Sequence, residues 1–427
     1  MKVEPVAQLV GHIAVPGDKS ISHRAVLLGA IADGETRIAG FGRSEDTEST
    51  IRAARDLGVT VTEDDIDTLR VAGAGLRGLT APDHPIDCGN AGTLVRLLAG
   101  ILAGQTGRQF ELVGDASLSS RPMGRIADPL TEMGAGIETA NGRLPLAIDA
   151  RPLRGIRYEL PVASAQVKSC ILLAGLYATG TTTVVEPLPT RDHTESLLES
   201  AGVRVTRRPG TVTVRSVDKL ELGEIQVPGD FSSAAPFIVA ATLVPGSELH
   251  VHGVNLNPRR TGLLEILERM GARITVYNRR RIAGEPAGDL DVRHAPLVGT
   301  NVRPVEVARV IDELPLFALA AACARGESTL RGAAELRAKE SDRIEAVVDG
   351  LRAIGAHIRG TATGFHIRGV PTRLRGGTMA SRGDHRITML AAVAGLVSRE
   401  GVKIEGAEAV AVSFPGFFEL LEQLKGS

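Results

Sequence analysis

The feature that most constrains how this chain can fold is an internal repeat. The phrase VPGD stands at residues 15–18 and returns at 227–230, each time opening an apolar helical stretch. Searching outward for the same pattern gives six units of about seventy residues. A repeat of that kind decides the architecture before any single residue does. The six helix starts lie in VPGDKSISHRAVLLGAIA, CGNAGTLVRLLAGILA, VASAQVKSCILLAGLYA, VPGDFSSAAPFIVAATL, VIDELPLFALAAACA and RGDHRITMLAAVAGLV. After each comes a glycine-led extended segment (GETRIAG, GRQFELVG, GTTTVVEP, GSELHVHG, GESTLRG, GVKIEG) whose apolar and polar residues alternate as in a strand. A second helix follows in every unit, and five of the six end in a glycine and a return to apolar residues, the usual helix stop before a strand.

The sixth unit runs out at the C-terminus, whereas KVEPVAQLV and GHIAV precede the first helix and read as strands. These N-terminal stretches are expected to complete the sixth unit. The chain is therefore α/β (α+β), in two domains of three units each. One domain is continuous over 19–228; the other is discontinuous, 1–18 plus 229–427. The polypeptide passes between them twice, at the two VPGD phrases. A length of 427 residues agrees with two cores.

Lys+Arg number 49 and Asp+Glu 50, so the net charge of -1 gives no global field for nucleic acid or an anionic membrane. Any anion site must be local. Aromatics at 3 % and no tryptophan argue against a base-stacking surface. Cys88, Cys170 and Cys323 lack metal-ligand spacing and read as small buried hydrophobes of a reducing compartment. No stretch has the length of a membrane span, and a cytoplasmic location is expected.

Helix N-termini offer unpaired N–H groups and a partial positive charge, so six of them make six anion cradles. The first carries Lys19, Ser20 and Arg24, a set suited to phosphate or carboxylate; no Walker A register is present. The second carries Gly89 and Gly92, with Arg121 ahead of the next helix. The third has Ser164, Ala165 and Gln166, then Arg191. The fifth differs in kind: Asp312 and Glu313 open one helix, and Lys339, Glu340 and Arg343 the next. A carboxylate amid cations can act as base or proton donor. The sixth offers His385 and Arg386. The fourth, VPGDFSSAAP, keeps the turn and helix with phenylalanine and proline in place of the lysine and arginine.

Across nearly its whole length the chain resembles the enolpyruvyl transferase family, in particular the 5-enolpyruvylshikimate-3-phosphate synthases. The carrying motifs are PGDKSISHRAVLLGAIADG, GNAGTLVR, SSRPMGR, ASAQVKS, TRDHTE, RRTGLL, IDELP, ELRAKESDR and GDHRITM. The resemblance implies a two-domain inside-out α/β barrel of six βαβαββ repeats with the active site in the cleft between the domains. It implies transfer of the enolpyruvyl group of phosphoenolpyruvate to the 5-hydroxyl of shikimate 3-phosphate, in the shikimate pathway, by a monomer with no metal and no organic cofactor. Lys19, Ser20, Arg24, Ser164, Ala165, Gln166, Arg191, Asp312 and Lys339 would hold shikimate 3-phosphate. Lys19, Gly92, Arg121, Gln166, Arg343, His385 and Arg386 would hold phosphoenolpyruvate. Asp312 would be the base, Glu340 the acid, with Lys19 beside them in the catalytic set.

A sister branch acting on UDP-N-acetylglucosamine typically has Lys-Asn at the first helix start and a loop cysteine as acid; here Ser20 follows Lys19 and no cysteine is so placed. A silent anion-binding scaffold would have no use for Asp312 and Glu340. The chain departs from some relatives in having Ala411 and Val412 before SFP, where they carry a lysine; Lys425 is the candidate substitute. Gly92 leaves room for glyphosate, which is expected to inhibit.

Overall fold

A computed structural model describes residues 1–425. The chain divides into two compact units, one made of Met1–Pro16, Pro228–Arg281 and Pro286–Ser427, the other of Gly17–Val227 and Ile282–Glu285. Each has its own hydrophobic core.

The cores are built around the first helix of each repeat. Phe231–Leu243, Leu314–Cys323 and His385–Val397 are buried on nearly every face in one unit. Lys19–Ala30, Gly92–Ala103 and Ala165–Gly175 are buried in the same way in the other. Helices apolar all round belong inside a core, which is why these segments read as Ala/Leu runs without a polar stripe. The second helices, such as Glu45–Asp56, keep an exposed face.

The glycine-led segments all form strands, and the sheets share one plan. In the second repeat Ile86–Asp87 runs parallel to Gln109–Val113, Arg143–Asp149 pairs antiparallel on its other side, and Gly136–Ala140 lies outermost. Sheets led by Arg157–Glu159 and Asn301–Val302 repeat it.

The two VPGD phrases exchange strands. Glu224–Gln226, just before the second phrase, pairs parallel with Glu35–Ala39, which follows the helix opened by the first. Val10–Ala14, just before the first phrase, pairs parallel with Glu248–Asn255, which follows the helix opened by the second. The N-terminal segment thus serves two repeats rather than the sixth alone. Lys2–Val3 closes the sixth sheet against Val402–Glu405, while the GHIAV strand completes the fourth. Both segments look alike in sequence because alternation marks a strand without naming its partner. The glycine of the first phrase is obligatory on steric grounds: a Cβ on Gly17 would lie 1.8 Å from the Gly40 carbonyl oxygen.

Cys88 and Cys170 are buried free thiols, as expected; Cys323 is half-buried. Among the described residues no helix is long and apolar enough to cross a membrane.

Candidate active site

The residues singled out at the helix starts form two clusters, one in each unit. In the unit 17–227, Asp18 caps the helix Lys19–Ala30 by accepting from the Ile21 N–H at 3.1 Å, which leaves Lys19 and Ser20 in the first turn. The Lys19 ammonium meets Asp46 Oδ2 at 2.6 Å, with both side chains largely buried. One turn on, Arg24 is 4 % exposed. Its guanidinium donates to Thr194 Oγ1 (2.7 Å), the Ser20 carbonyl (2.8 Å) and Ser169 Oγ (2.9 Å), all neutral oxygens. Burial, the largest influence, lowers its proton affinity to about 10, with Glu195 and Asp18 opposing and the nearby charge of Arg191 adding to the drop. Arg24 is therefore a fully charged group at neutral pH that lacks a carboxylate partner among the described residues.

The second and third helix starts meet through side chains. Gly92 opens its helix with no side-chain cap. Arg96, one turn later, donates to the Gly92 carbonyl at 3.0 Å and to Gln166 Oε1 at 2.9 Å, and Gln166 Nε2 donates to Thr93 Oγ1 at 3.0 Å. Arg121, 7 % exposed, donates to Asn90 Oδ1 at 2.6 Å and Ser117 Oγ at 3.2 Å. A Cβ on Gly92 would fall 2.8 Å from Arg96 Nη1 and 3.0 Å from Arg121 Nη1, so the missing side chain is what lets two guanidiniums stand over this helix start. Ser164 caps the third helix through the Val167 N–H, placing Ala165 and Gln166 in its first turn. Beneath it, Lys168 is fully buried between Glu186 (3.0 Å) and Glu195 (2.7 Å).

In the other unit Asp312 lies just ahead of the helix Leu314–Cys323. Its Oδ1 faces Arg343 Nη1 at 3.3 Å and Lys339 Nζ at 3.7 Å; its Oδ2 faces Arg260 Nη1 at 3.5 Å. Arg343, 1 % exposed, opens the helix Arg343–Ala353 and also reaches Glu340 Oε2 at 2.6 Å and Asp384 at 2.8 Å. Burial disfavours its charge, yet the carboxylates of Asp384, Glu340 and Asp312 outweigh that and raise its proton affinity above the ordinary arginine value. Asp384 in turn caps the helix His385–Val397 by accepting from the Arg386 N–H at 2.9 Å. His385 is buried in the first turn. Arg386, 9 % exposed, donates to the Ser232 carbonyl at 3.1 Å and has no carboxylate partner among the described residues. Glu313, adjacent to Asp312, is fully buried and accepts from the Ser232 hydroxyl, a structural role. Lys425 is paired with Glu422 and bridges Leu9 on the edge of the same unit.

Apart from Lys425, which follows the end of the helix Phe417–Gln423, the site residues named from the sequence sit at or beside helix starts. Sequence reading missed the groups that hold them: Asp46, Arg96, Thr194, Arg260 and Asp384. Arg96 and Asp384 carried a usable signal, since each lies within a turn of a helix start. Asp46 and Arg260 also lie close to helix starts, those of Glu45–Asp56 and Gly262–Arg269, but their partners Lys19 and Asp312 are remote in the chain.

This arrangement can do two things chemically. Buried cations with neutral partners bind anions strongly, since the cost of burial is recovered only when a counter-charge arrives. Two carboxylates, Asp312 and Glu340, sharing one arginine in a desolvated setting can divide the roles of proton acceptor and donor.

Residues 3–421 match the model of the family described as EPSP synthase (3-phosphoshikimate 1-carboxyvinyltransferase). A 3-phosphoshikimate 1-carboxyvinyltransferase of Acidithiobacillus ferrooxidans is 52 % identical over 421 residues, 99 % of this chain and 96 % of that one. One from Desulforudis audaxviator is 50 % identical over 428 residues, covering 100 % and 99 %. An EPSP synthase structure from Acinetobacter baumannii superposes with a TM-score of 0.88 at 44 % identity, over 99 % of this chain and 97 % of that one. The enolpyruvyl transferase NikO from Streptomyces tendae, at 18 % identity and a TM-score of 0.79, shares the fold. The chain belongs to the EPSP synthase (3-phosphoshikimate 1-carboxyvinyltransferase) family.

Proposed function

We propose that the chain transfers the carboxyvinyl group of phosphoenolpyruvate to the 5-hydroxyl of shikimate 3-phosphate and releases phosphate, the step that serves aromatic amino-acid biosynthesis. The observation that carries this reading is the pairing of two features: buried Arg24 and Arg386, each held by neutral oxygens, and the carboxylates Asp312 and Glu340, both on Arg343. Each substrate brings a phosphate and a carboxylate, so several desolvated cations are needed to bring the two together.

In this reading Lys19, Ser20, Arg24, Ser164, Ala165, Gln166, Arg191 and Lys339 hold shikimate 3-phosphate. Gly92, Arg121, Gln166, Arg343, His385 and Arg386, with Lys19, hold phosphoenolpyruvate. Asp312 accepts the proton of the 5-hydroxyl as its oxygen bonds to the enol carbon. Glu340 delivers a proton to the methylene carbon, making it a methyl. Loss of phosphate and of one methyl proton then restores the double bond, so the carboxyvinyl group is conserved. The reaction calls on groups of both clusters. Glyphosate, an anion with a phosphonate and a carboxylate, is a competitor of phosphoenolpyruvate at the glycine-opened helix start Gly92.

The test is phosphate release in the purified chain. Release should require both substrates, and Asp312→Asn or Glu340→Gln should lower turnover by roughly 10²–10⁴-fold, the usual contribution of a general acid or base, with shikimate 3-phosphate binding retained. Release with phosphoenolpyruvate alone, or full turnover in both variants, overturns the reading.

A further inference from the structure

The second VPGD phrase carries no ligand-binding charge of its own, yet its aspartate is tied to the reaction's carboxylate. Asp230 is 4 % exposed and caps the helix Phe231–Leu243 by accepting from the Ser232 N–H at 2.7 Å. The same oxygen, Oδ1, also takes the Arg260 Nη2 at 2.9 Å. Arg260, 2 % exposed, then presents Nη1 to Asp312 Oδ2 at 3.5 Å.

A parallel chain arrives from the other side. Asp384 caps its helix and holds Arg343, and Arg343 presents Nη1 to the opposite oxygen of Asp312, Oδ1, at 3.3 Å. Asp312 is thus flanked by two buried arginines, each anchored by an aspartate that is itself fixed at a helix start. The anchoring contacts are 2.8–2.9 Å, while those to Asp312 are 3.3–3.5 Å. Two anchored guanidiniums, one on each carboxylate oxygen, fix the plane of Asp312.

We propose that Asp230 and Arg260 are positioning residues for the proton-accepting carboxylate: Asp230 holds Arg260 in place, and Arg260 in turn orients Asp312. The proposal rests on Asp312 being the base. It assigns to the charge-poor repeat of VPGD a part in turnover, and to Arg260 a role distinct from substrate binding.

Asp230→Asn tests it, because asparagine still accepts from the Ser232 N–H and so preserves the cap while removing the charge that restrains Arg260. The expected result is a fall in kcat of about tenfold, equivalent to one factor of ten in the transition-state constant, with KM for both substrates changed less than twofold, measured well below a thermal midpoint that should itself drop because buried Arg260 loses a counter-ion. Arg260→Lys, which keeps the charge and loses the fork, should give a similar kcat loss. In an Asp312→Asn background Asp230→Asn should have no further effect, since residues acting as one unit are not additive. Wild-type kcat in both Asp230→Asn and Arg260→Lys, or losses that multiply with Asp312→Asn, would overturn the proposal. Full turnover of Asp312→Asn alone would instead remove the base assignment, so the two failures are distinguishable.

Discussion

Asp384 grips Arg343 on two edges, Nε to Oδ2 at 2.8 Å and Nη2 to Oδ1 at 3.1 Å, in a site where both side chains are at most 1 % exposed. Asp384 also accepts from the Ser341 hydroxyl at 2.9 Å and caps its own helix. Removing its charge leaves a buried arginine without its main counter-ion, a loss of about 3–5 kcal/mol by comparison with broken buried pairs. Asp384→Asn should therefore lower the urea midpoint of the unit that contains it and, by freeing Arg343, raise KM for phosphoenolpyruvate. A midpoint within experimental error of wild type would contradict this.

Lys168 makes a similar argument in the other unit. It is fully buried and shared by Glu186 and Glu195, and Glu195 supports the charge of Arg24. Lys168→Met should destabilise that unit by about 3–5 kcal/mol because two carboxylates lose their cation. Lys168→Met with Glu186→Gln and Glu195→Gln should recover much of the loss, since neutral groups of similar shape no longer need one. Denaturant titration of the single and triple variants decides it.

The pH dependence of stability has an identifiable contributor in His23. Its ring is buried, accepts or donates at Thr50 Oγ1 (2.6 Å), and lies near Lys19 and Arg24. Burial first, then those two cations, hold its proton affinity well below 6.5. The unfolded chain binds this proton below about 6.5 and the folded chain does not. Stability is thus fully present above that pH and falls as pH drops below it, with a slope of up to about 1.4 kcal/mol per pH unit from this one group. His23→Gln should flatten that limb between roughly pH 6.5 and 5. An unchanged limb would mean that the imidazole is protonated in the folded state.

The sequence made the helix starts readable because each announces itself locally: a small polar turn, a glycine or capping residue, then an apolar run. Six repeats, their strands and the residues of the first turns followed from that. What could not be read was pairing over distance. The GHIAV strand bonds to Glu248–Asn255 rather than to the sixth sheet, and nothing in five alternating residues specifies a partner more than two hundred positions away. Asp46 and Arg260 escaped for the same reason; in sequence each reads as an ordinary charge near a helix start, and only the fold brings Lys19 or Asp312 to it. Glu313 shares the helix start with Asp312 yet is fully buried against Ser232, a difference that adjacency in the sequence does not show.

Gly92 offers the sharpest local prediction. A methyl group there would stand 2.8 Å from Arg96 Nη1 and 3.0 Å from Arg121 Nη1. Both are far ends of flexible side chains, so Gly92→Ala should fold normally; its backbone is helical and alanine favours that state. The guanidiniums must retreat by a few tenths of an ångström, which weakens whatever anion they hold. KM for phosphoenolpyruvate should rise roughly tenfold, about 1.4 kcal/mol of lost binding, while kcat changes little because proton transfer is assigned to Asp312 and Glu340 and not to either arginine. Inhibition by glyphosate should weaken by a larger factor than the rise in KM, since the added methyl group crowds the longer anion more than the shorter one. Steady-state kinetics on Gly92→Ala measure both, and an unaltered KM with unaltered inhibition would place the phosphoenolpyruvate site away from this helix start.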